Sequence, residues 1–179
     1  DVDRRMTDDD VAERAVILGG TFTPIHNGHR ALLHSAFQTA SHDGAGDGHV
    51  VVGLTASDLA RETRDAGHAD RIGAFAKRRD ALADELDRMS GAYTASHEII
   101  RISDTRGPAA TRGDLDALVA SPEAKAQRRA HRINEERIEA GLDPLEIHTP
   151  PFVVAEDGDR ISSTRIRNGE IDVHGRTLQ

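Results

Sequence analysis

The sequence predicts an α/β fold with a parallel sheet, and three observations carry that prediction. Short apolar runs alternate with segments whose apolar residues recur at helical spacing. The first run, Ala15-Val16-Ile17-Leu18, passes directly into Gly19-Gly20 and then a helix. A second run, Val50-Val51-Val52-Gly53-Leu54, follows, so strand, helix and strand form one unit whose crossover should be right-handed. Such strands have both faces covered by helices, and ligands bind at their carboxyl ends, where strand order reverses. The chemistry is therefore expected around Gly19-Gly20-Thr21.

The elements follow in order. Residues 1–14 are polar and charged and read as a flexible N-terminal segment, with Met6 a candidate initiator; the domain proper is placed at 15–179. From Gly28 to Ala40, the residues Ala31, Leu32, Leu33, Ala36 and Phe37 mark the first helix. Gly44, Gly46 and Gly48 precede the second strand and do not follow it, so they read as a loop and not as a dinucleotide fingerprint. Residues 57–72 are charged and irregular. Phe75, Leu82, Leu86 and Met89 mark an amphipathic helix, and Tyr93 to Ile102 a strand. Leu115 to Val119 is a further strand. Ser121-Pro122-Glu123 opens a helix that runs to about Ala140 and stops at Gly141. Leu145 to Val154 holds a strand interrupted by Pro150-Pro151; Asp157-Gly158 is a turn, and Ser162 opens a last short helix.

Composition narrows the function classes. A chain of 179 residues can bury roughly 70% of its unfolded surface in one domain. There are no cysteines, which excludes disulfides, thiolate metal sites and cysteine nucleophiles, and fits a reducing, cytoplasmic setting. The net charge of −8 argues against generic nucleic-acid binding, and no apolar run approaches a membrane span. Lys77 and Lys125 are the only lysines among 23 basic residues. That bias fits either a salt-loving host or a GC-rich genome. No Gly-Lys-Ser/Thr occurs, so a P-loop is excluded, and there is no Gly-x-Ser-x-Gly elbow.

One segment stands out: Gly19-Gly20-Thr21-Phe22-Thr23-Pro24-Ile25-His26-Asn27-Gly28-His29, at the junction of the first strand and helix. Free amides at a helix start favour an anion, and imidazole N–H groups there can donate to phosphate oxygens as charge develops. Gly28, between the histidines, is read as leaving room for a nucleotide. Two histidines at such a place are also compatible with plain helix capping. Zinc is disfavoured, because no third ligand stands at a recognisable spacing and no His-Glu-x-x-His pattern exists. The Gly-Gly-Thr-Phe context favours the phosphate role.

His-x-Gly-His after Gly-Thr-Phe resembles the signature of the nucleotidyltransferase superfamily, which includes class I aminoacyl-tRNA synthetases. The resemblance implies a Rossmann-like sheet. A second stretch, Ile161-Ser162-Ser163-Thr164-Arg165-Ile166-Arg167, fits that superfamily's Ile-Ser-x-Thr-x-x-Arg pattern. Its hydroxyls and arginine are chemically suited to β- and γ-phosphate oxygens. Val119 to Glu123, Arg132 to Arg137 and Gly141 to Leu145 resemble the archaeal type of phosphopantetheine adenylyltransferase, as do Gly53-Leu54-Thr55 and Asn168 to Asp172. The likeness covers about residues 15–176.

The resemblance implies transfer of AMP from ATP to 4'-phosphopantetheine, giving dephospho-coenzyme A and pyrophosphate, with Mg²⁺ arriving on ATP and no metal ligands from the protein. It implies catalytic roles for His26 and His29. ATP contacts are expected from Gly20, Thr21, Phe22, His26, His29, Ile161, Ser162, Ser163, Thr164 and Arg167. Acceptor contacts are expected from Thr21, Arg61 and Arg64. Thr23 stands where the family usually has aspartate, and the region just after the second strand, where bacterial members hold the acceptor with a lysine, offers only Arg61 and Arg64. The other readings are a nicotinamide mononucleotide adenylyltransferase, a glycerol-phosphate cytidylyltransferase and a non-catalytic nucleotide sensor. Arg128, Arg129, His131 and Arg132 form either a solvated helix face or a phosphate-binding patch, and Arg78-Arg79 reads likewise.

Overall fold

The computed structural model describes residues 14–41, 48–62, 72–105 and 107–179. In chain order the elements are β1 (Ala15–Gly20), α1 (Asn27–Ala40), β2 (His49–Thr55), α2 (Ser57–Glu62), α3 (Phe75–Ser90), β3 (Ser96–Ile102), a 3-10 turn (Pro108–Ala110), β4 (Ala117–Val119), α4 (Ala124–Glu139), β5 (Glu146–His148) and α5 (Ser163–Arg167). The five strands form one parallel sheet in the order β3-β2-β1-β4-β5. The order reverses between β1 and β4. The crevice expected at such a point lies at the carboxyl end of β1, as the sequence predicted.

Both faces are covered, which is why the strands read as unbroken apolar runs. On one face Val16, Leu18, Val50, Val52 and Leu54 meet Phe37, Leu82 and Leu86 of α1 and α3. On the other, Ile17, Val51 and Leu118 meet Ala130 and Ile133 of α4. Strand residues alternate between these two layers with the period of two that a pleated sheet imposes. Among the described residues no helix is long and apolar enough to cross a membrane.

Several boundaries differ from the sequence expectation. Ser57–Glu62, read as irregular, is a short helix. The segment at Tyr93 turns before it pairs: Tyr93 N–H bonds the Ser90 carbonyl, its ring stacks on Phe37, and β3 begins only at Ser96. β4 begins at Ala117 and not at Leu115. β5 matches it residue for residue, ending at His148, just before the run Thr149-Pro150-Pro151. The helix expected from Ser121 starts at Ala124. Ser121 Oγ accepts from Glu123 N–H at 3.4 Å, and Glu123 is extended, so a turn precedes the helix. The predicted N-terminal segment and Gly44 and Gly46 lie outside the described residues, apart from Arg14.

Arg137 is a buried cation invisible in the sequence pattern. It is 1% exposed and donates to the carbonyls of Ala109, Arg112 and Asp143 at 2.7–2.8 Å. It thereby ties α4 to the 3-10 turn and to the loop before β5. Arg137→Met keeps the packed stem but strands carbonyls. It should destabilise the fold by about 3 kcal/mol or more, read as a melting temperature lower by about 6–12 °C. An unchanged melting temperature would refute this role.

Candidate functional site

The site begins where β1 ends. Phe22 is 3% exposed and sits at φ 50, a left-handed conformation that a bulky residue adopts at a cost. A side chain at Gly20 would come within 3.1 Å of its ring, so the glycine lets Phe22 fold back against the strand. Arg78 fixes this turn. Its guanidinium, 4% exposed, donates to the carbonyls of Thr21 (3.0 Å), Thr55 (2.9 Å) and Gly73 (2.9 Å) and to Ser57 Oγ (3.1 Å). It staples the carboxyl ends of β1 and β2 together and is not on a solvated face. Its neighbour Arg79 is exposed and pairs with Asp80.

The two histidines build the start of α1. His26 Nδ1 accepts from Gly28 N–H at 3.0 Å, and His29 Nδ1 accepts from His26 N–H at 3.3 Å. This is a reciprocal capping box made of two imidazoles instead of a hydroxyl and a carboxylate. It accounts for the three-residue spacing, and it sets the chemistry. With each Nδ1 accepting, each neutral ring carries its proton on Nε2, the edge turned away from the cap. The rings stack with centroids 3.9 Å apart, and His29 lies against Phe22. Burial, then the nearby charges of Arg30 and Arg167, lower His26 to about 4, so it is neutral at physiological pH. Capping and donating are thus compatible, through opposite edges of one ring. Gly28 serves the cap first. A Cβ there would stand 2.8 Å from the His26 ring, so the pattern's glycine makes room for the imidazole as well as lining the neighbouring cleft.

The second motif comes to the same place. Ser162 caps α5, accepting from Arg165 N–H at 3.3 Å, with Ser163 and Thr164 in the first turn. Arg167 donates to the Thr23 carbonyl at 2.7 Å, across 144 residues of sequence, and its other terminal nitrogen lies 3.5 Å from Thr164 Oγ1. Asn27 N–H bonds the Val173 carbonyl, and the Ile161 carbonyl approaches Gly28. Arg165 is occupied elsewhere, by Asp157, Glu170 and the Arg160 carbonyl. Beside this junction lies a cleft lined by Gly28, Leu32, Pro122, Phe152, Val153 and Ile161. Phe152 is 45% exposed at its edge, with the Arg160 guanidinium 5.3 Å from the ring centroid.

The structure therefore brings Gly20, Thr21, Phe22, His26, His29, Ile161, Ser162, Ser163, Thr164 and Arg167 to one edge of the sheet. Arg61 lies exposed on α2, and Arg64 falls outside the described residues. Arg128, Arg129, His131 and Arg132 are exposed on α4. Sequence reasoning missed Arg30, which donates to Glu85 at 2.7 Å and to Asn27 Oδ1 at 2.9 Å. Burial pushes the Glu85 carboxyl up, but bonds from Arg30 and Arg88 outweigh it and hold it below the usual range. The one available signal was the carboxylate at position 85 beside Leu82, Leu86 and Met89 on the buried face of α3. Among the described residues no three His, Asp or Glu side chains gather as a metal cage.

A family model described as cytidylyltransferase-like matches residues 17–169. A phosphopantetheine adenylyltransferase of Methanosarcina acetivorans is 39% identical over 161 residues, covering 90% of this chain and 94% of the relative. One from Thermococcus kodakarensis is 36% identical, covering 92% of this chain and 91% of the relative. Tyrosyl-tRNA synthetase from Archaeoglobus fulgidus shares the fold, with a TM-score of 0.53 at 14% identity over 88% of this chain and 61% of that one.

Proposed function

This chain belongs to the cytidylyltransferase-like family, and from that membership and the site's geometry we infer that it transfers AMP from ATP to 4'-phosphopantetheine, yielding dephospho-coenzyme A and pyrophosphate. The observation that carries the reading is the junction of the two motifs, where Arg167 holds the Thr23 carbonyl beside the imidazole pair. Two imidazole donors, His26 neutral, and a guanidinium at one strand end suit the α-phosphate and the leaving pyrophosphate respectively.

The reaction asks little covalent chemistry of the protein. An oxygen of the acceptor's phosphate monoester, largely dianionic near neutral pH, bonds to the α-phosphorus of ATP as the bond to the β-phosphate oxygen breaks. No general base is required, because the nucleophile carries no proton to lose. The residues supply position and charge stabilisation. The Nε2–H edges of His26 and His29 donate to α-phosphate oxygens. Ser163, Thr164 and Arg167 hold the β- and γ-phosphates. The cleft beside Gly28 and Phe152 takes the adenine: Leu32, Phe152 and Val153 meet its flat faces, and Ser121 and the Glu123–Arg160 pair lie at the polar rim. A Mg²⁺ ion arriving with ATP would supply charge neutralisation on the triphosphate. The local donors are hydroxyls, amides and a guanidinium, which fits a cation held by the triphosphate and water and not by a protein cage.

Pyrophosphate release with ATP tests the reading against three acceptors: phosphopantetheine, nicotinamide mononucleotide and glycerol 3-phosphate. Phosphopantetheine should give the highest kcat/KM by at least about 100-fold, a difference of roughly 2.7 kcal/mol in transition-state binding. Faster turnover of nicotinamide mononucleotide would move the chain to a different branch of the family.

A further inference from the structure

We propose that Arg101, seated on the ring of Phe75, holds the phosphate of the acceptor; this deepens the adenylyltransferase reading and rests on it. The sheet register puts Arg101 in the row that matters. Gly20 of β1 pairs with Leu54 of β2, and Leu54 pairs with Arg101 of β3. Arg101 therefore lies two strands from the phosphate-binding turn, at the carboxyl edge of the sheet. Alternation along β3 places it on the same face as Ile99, which packs against the layer of α1 and α3. That is the face on which α1 presents its imidazole pair.

The two arginines flanking Phe75 are in opposite states. Arg78 is buried and its donors go to three carbonyls and a serine, so it builds the wall. Arg101 is exposed, and its guanidinium lies 4.7 Å from the Phe75 ring centroid. Among the described residues its guanidinium makes no hydrogen bond or ion pair. In a chain of net charge −8, an exposed guanidinium at the active edge seated on a ring and not on a carboxylate is disposed to take an anion. Stacking over an aromatic face restrains the guanidinium while leaving its N–H fork available in the ring plane, the geometry that receives a phosphate dianion bidentately. Arg61, the other acceptor candidate among the described residues, sits exposed on α2 without such a seat. The triphosphate is met from the α1 and α5 side, so Arg101 approaches the reaction from the opposite flank, where an incoming nucleophile must come.

Steady-state kinetics of Arg101→Gln and Arg101→Lys, with wild type alongside, test this. Arg101→Gln should raise KM for phosphopantetheine by about 10- to 100-fold, as expected for losing a bond to a charged group. KM for ATP should stay within about twofold, because no ATP contact changes. Arg101→Lys should recover part of the loss, and Phe75→Leu, which removes the seat but not the charge, should show a smaller rise. Binding of pantetheine, which lacks the phosphate, should be indifferent to all of these changes. An acceptor KM unchanged in Arg101→Gln overturns the proposal, as does an equal rise for ATP or equal weakening of pantetheine. If wild type itself releases no pyrophosphate with phosphopantetheine, the functional reading fails first, and this assignment falls with it.

Discussion

His29→Ala should lower kcat by about 10²- to 10³-fold, the usual cost of losing one transition-state donor, with KM for ATP little changed. His29 carries its proton on Nε2 because its Nδ1 accepts the His26 amide. A donor held this way tightens as negative charge grows on the α-phosphate, so it lowers the barrier more than it binds the ground state. The same side chain also closes the capping box, and its removal should cost about 1 kcal/mol of stability. His29→Asn separates the two jobs. Its amide oxygen can accept the His26 amide, but it has no group where Nε2–H was. Stability should return in His29→Asn while kcat stays low. Recovery of kcat in that variant would show that His29 acts only by shaping the helix. Because His26 titrates at about 4, it should contribute no inflection to the pH–rate profile between roughly pH 6 and 8.

Arg167→Ala should weaken ATP binding by about 1.5–3 kcal/mol, the range for a hydrogen bond to a charged group, while AMP binding holds steady. AMP lacks the β- and γ-phosphates that the proposed reading assigns to the second motif. The structure adds a control. Arg167 also donates to the Thr23 carbonyl, so truncation strands a carbonyl at the turn after β1. A melting temperature measured on the same variant separates that structural share. Equal losses for ATP and AMP would assign Arg167 to the fold alone. Arg165 cannot take over the phosphate role, since Asp157 and Glu170 already hold it.

The parallel sheet, its switch point and the positions of both motifs at strand and helix junctions were legible in the sequence because each rests on local pattern. Apolar runs mark β1 and β2, and the Gly-Thr-Phe and Ile-Ser-x-Thr stretches mark the chain's turns into α1 and α5. What stayed hidden depends on distant partners. Arg78 and Arg79 are adjacent and chemically identical in the sequence; one is buried among carbonyls from β1 and β2 and the other is in water. Arg137 looks like any residue of a charged helix until the loops it bonds are in place. A further demand on Gly28 was hidden for the same reason: the His26 ring also needs its missing side chain, and it folds back only once the cap forms. Helix starts erred where a proline turn preceded the helix, because Ser121-Pro122-Glu123 satisfies the start rules two residues before the backbone becomes helical.

The most direct test of the central claim follows the phosphorus atoms. The chain is incubated with phosphopantetheine, Mg²⁺ and ATP labelled at either the α- or the γ-phosphate, and the products are separated. Transfer of AMP predicts that the α-label appears in a thiol-bearing product with the mass of dephospho-coenzyme A, and the γ-label in pyrophosphate. A γ-label on the acceptor, or an α-label found only in free AMP or ADP, would contradict the account.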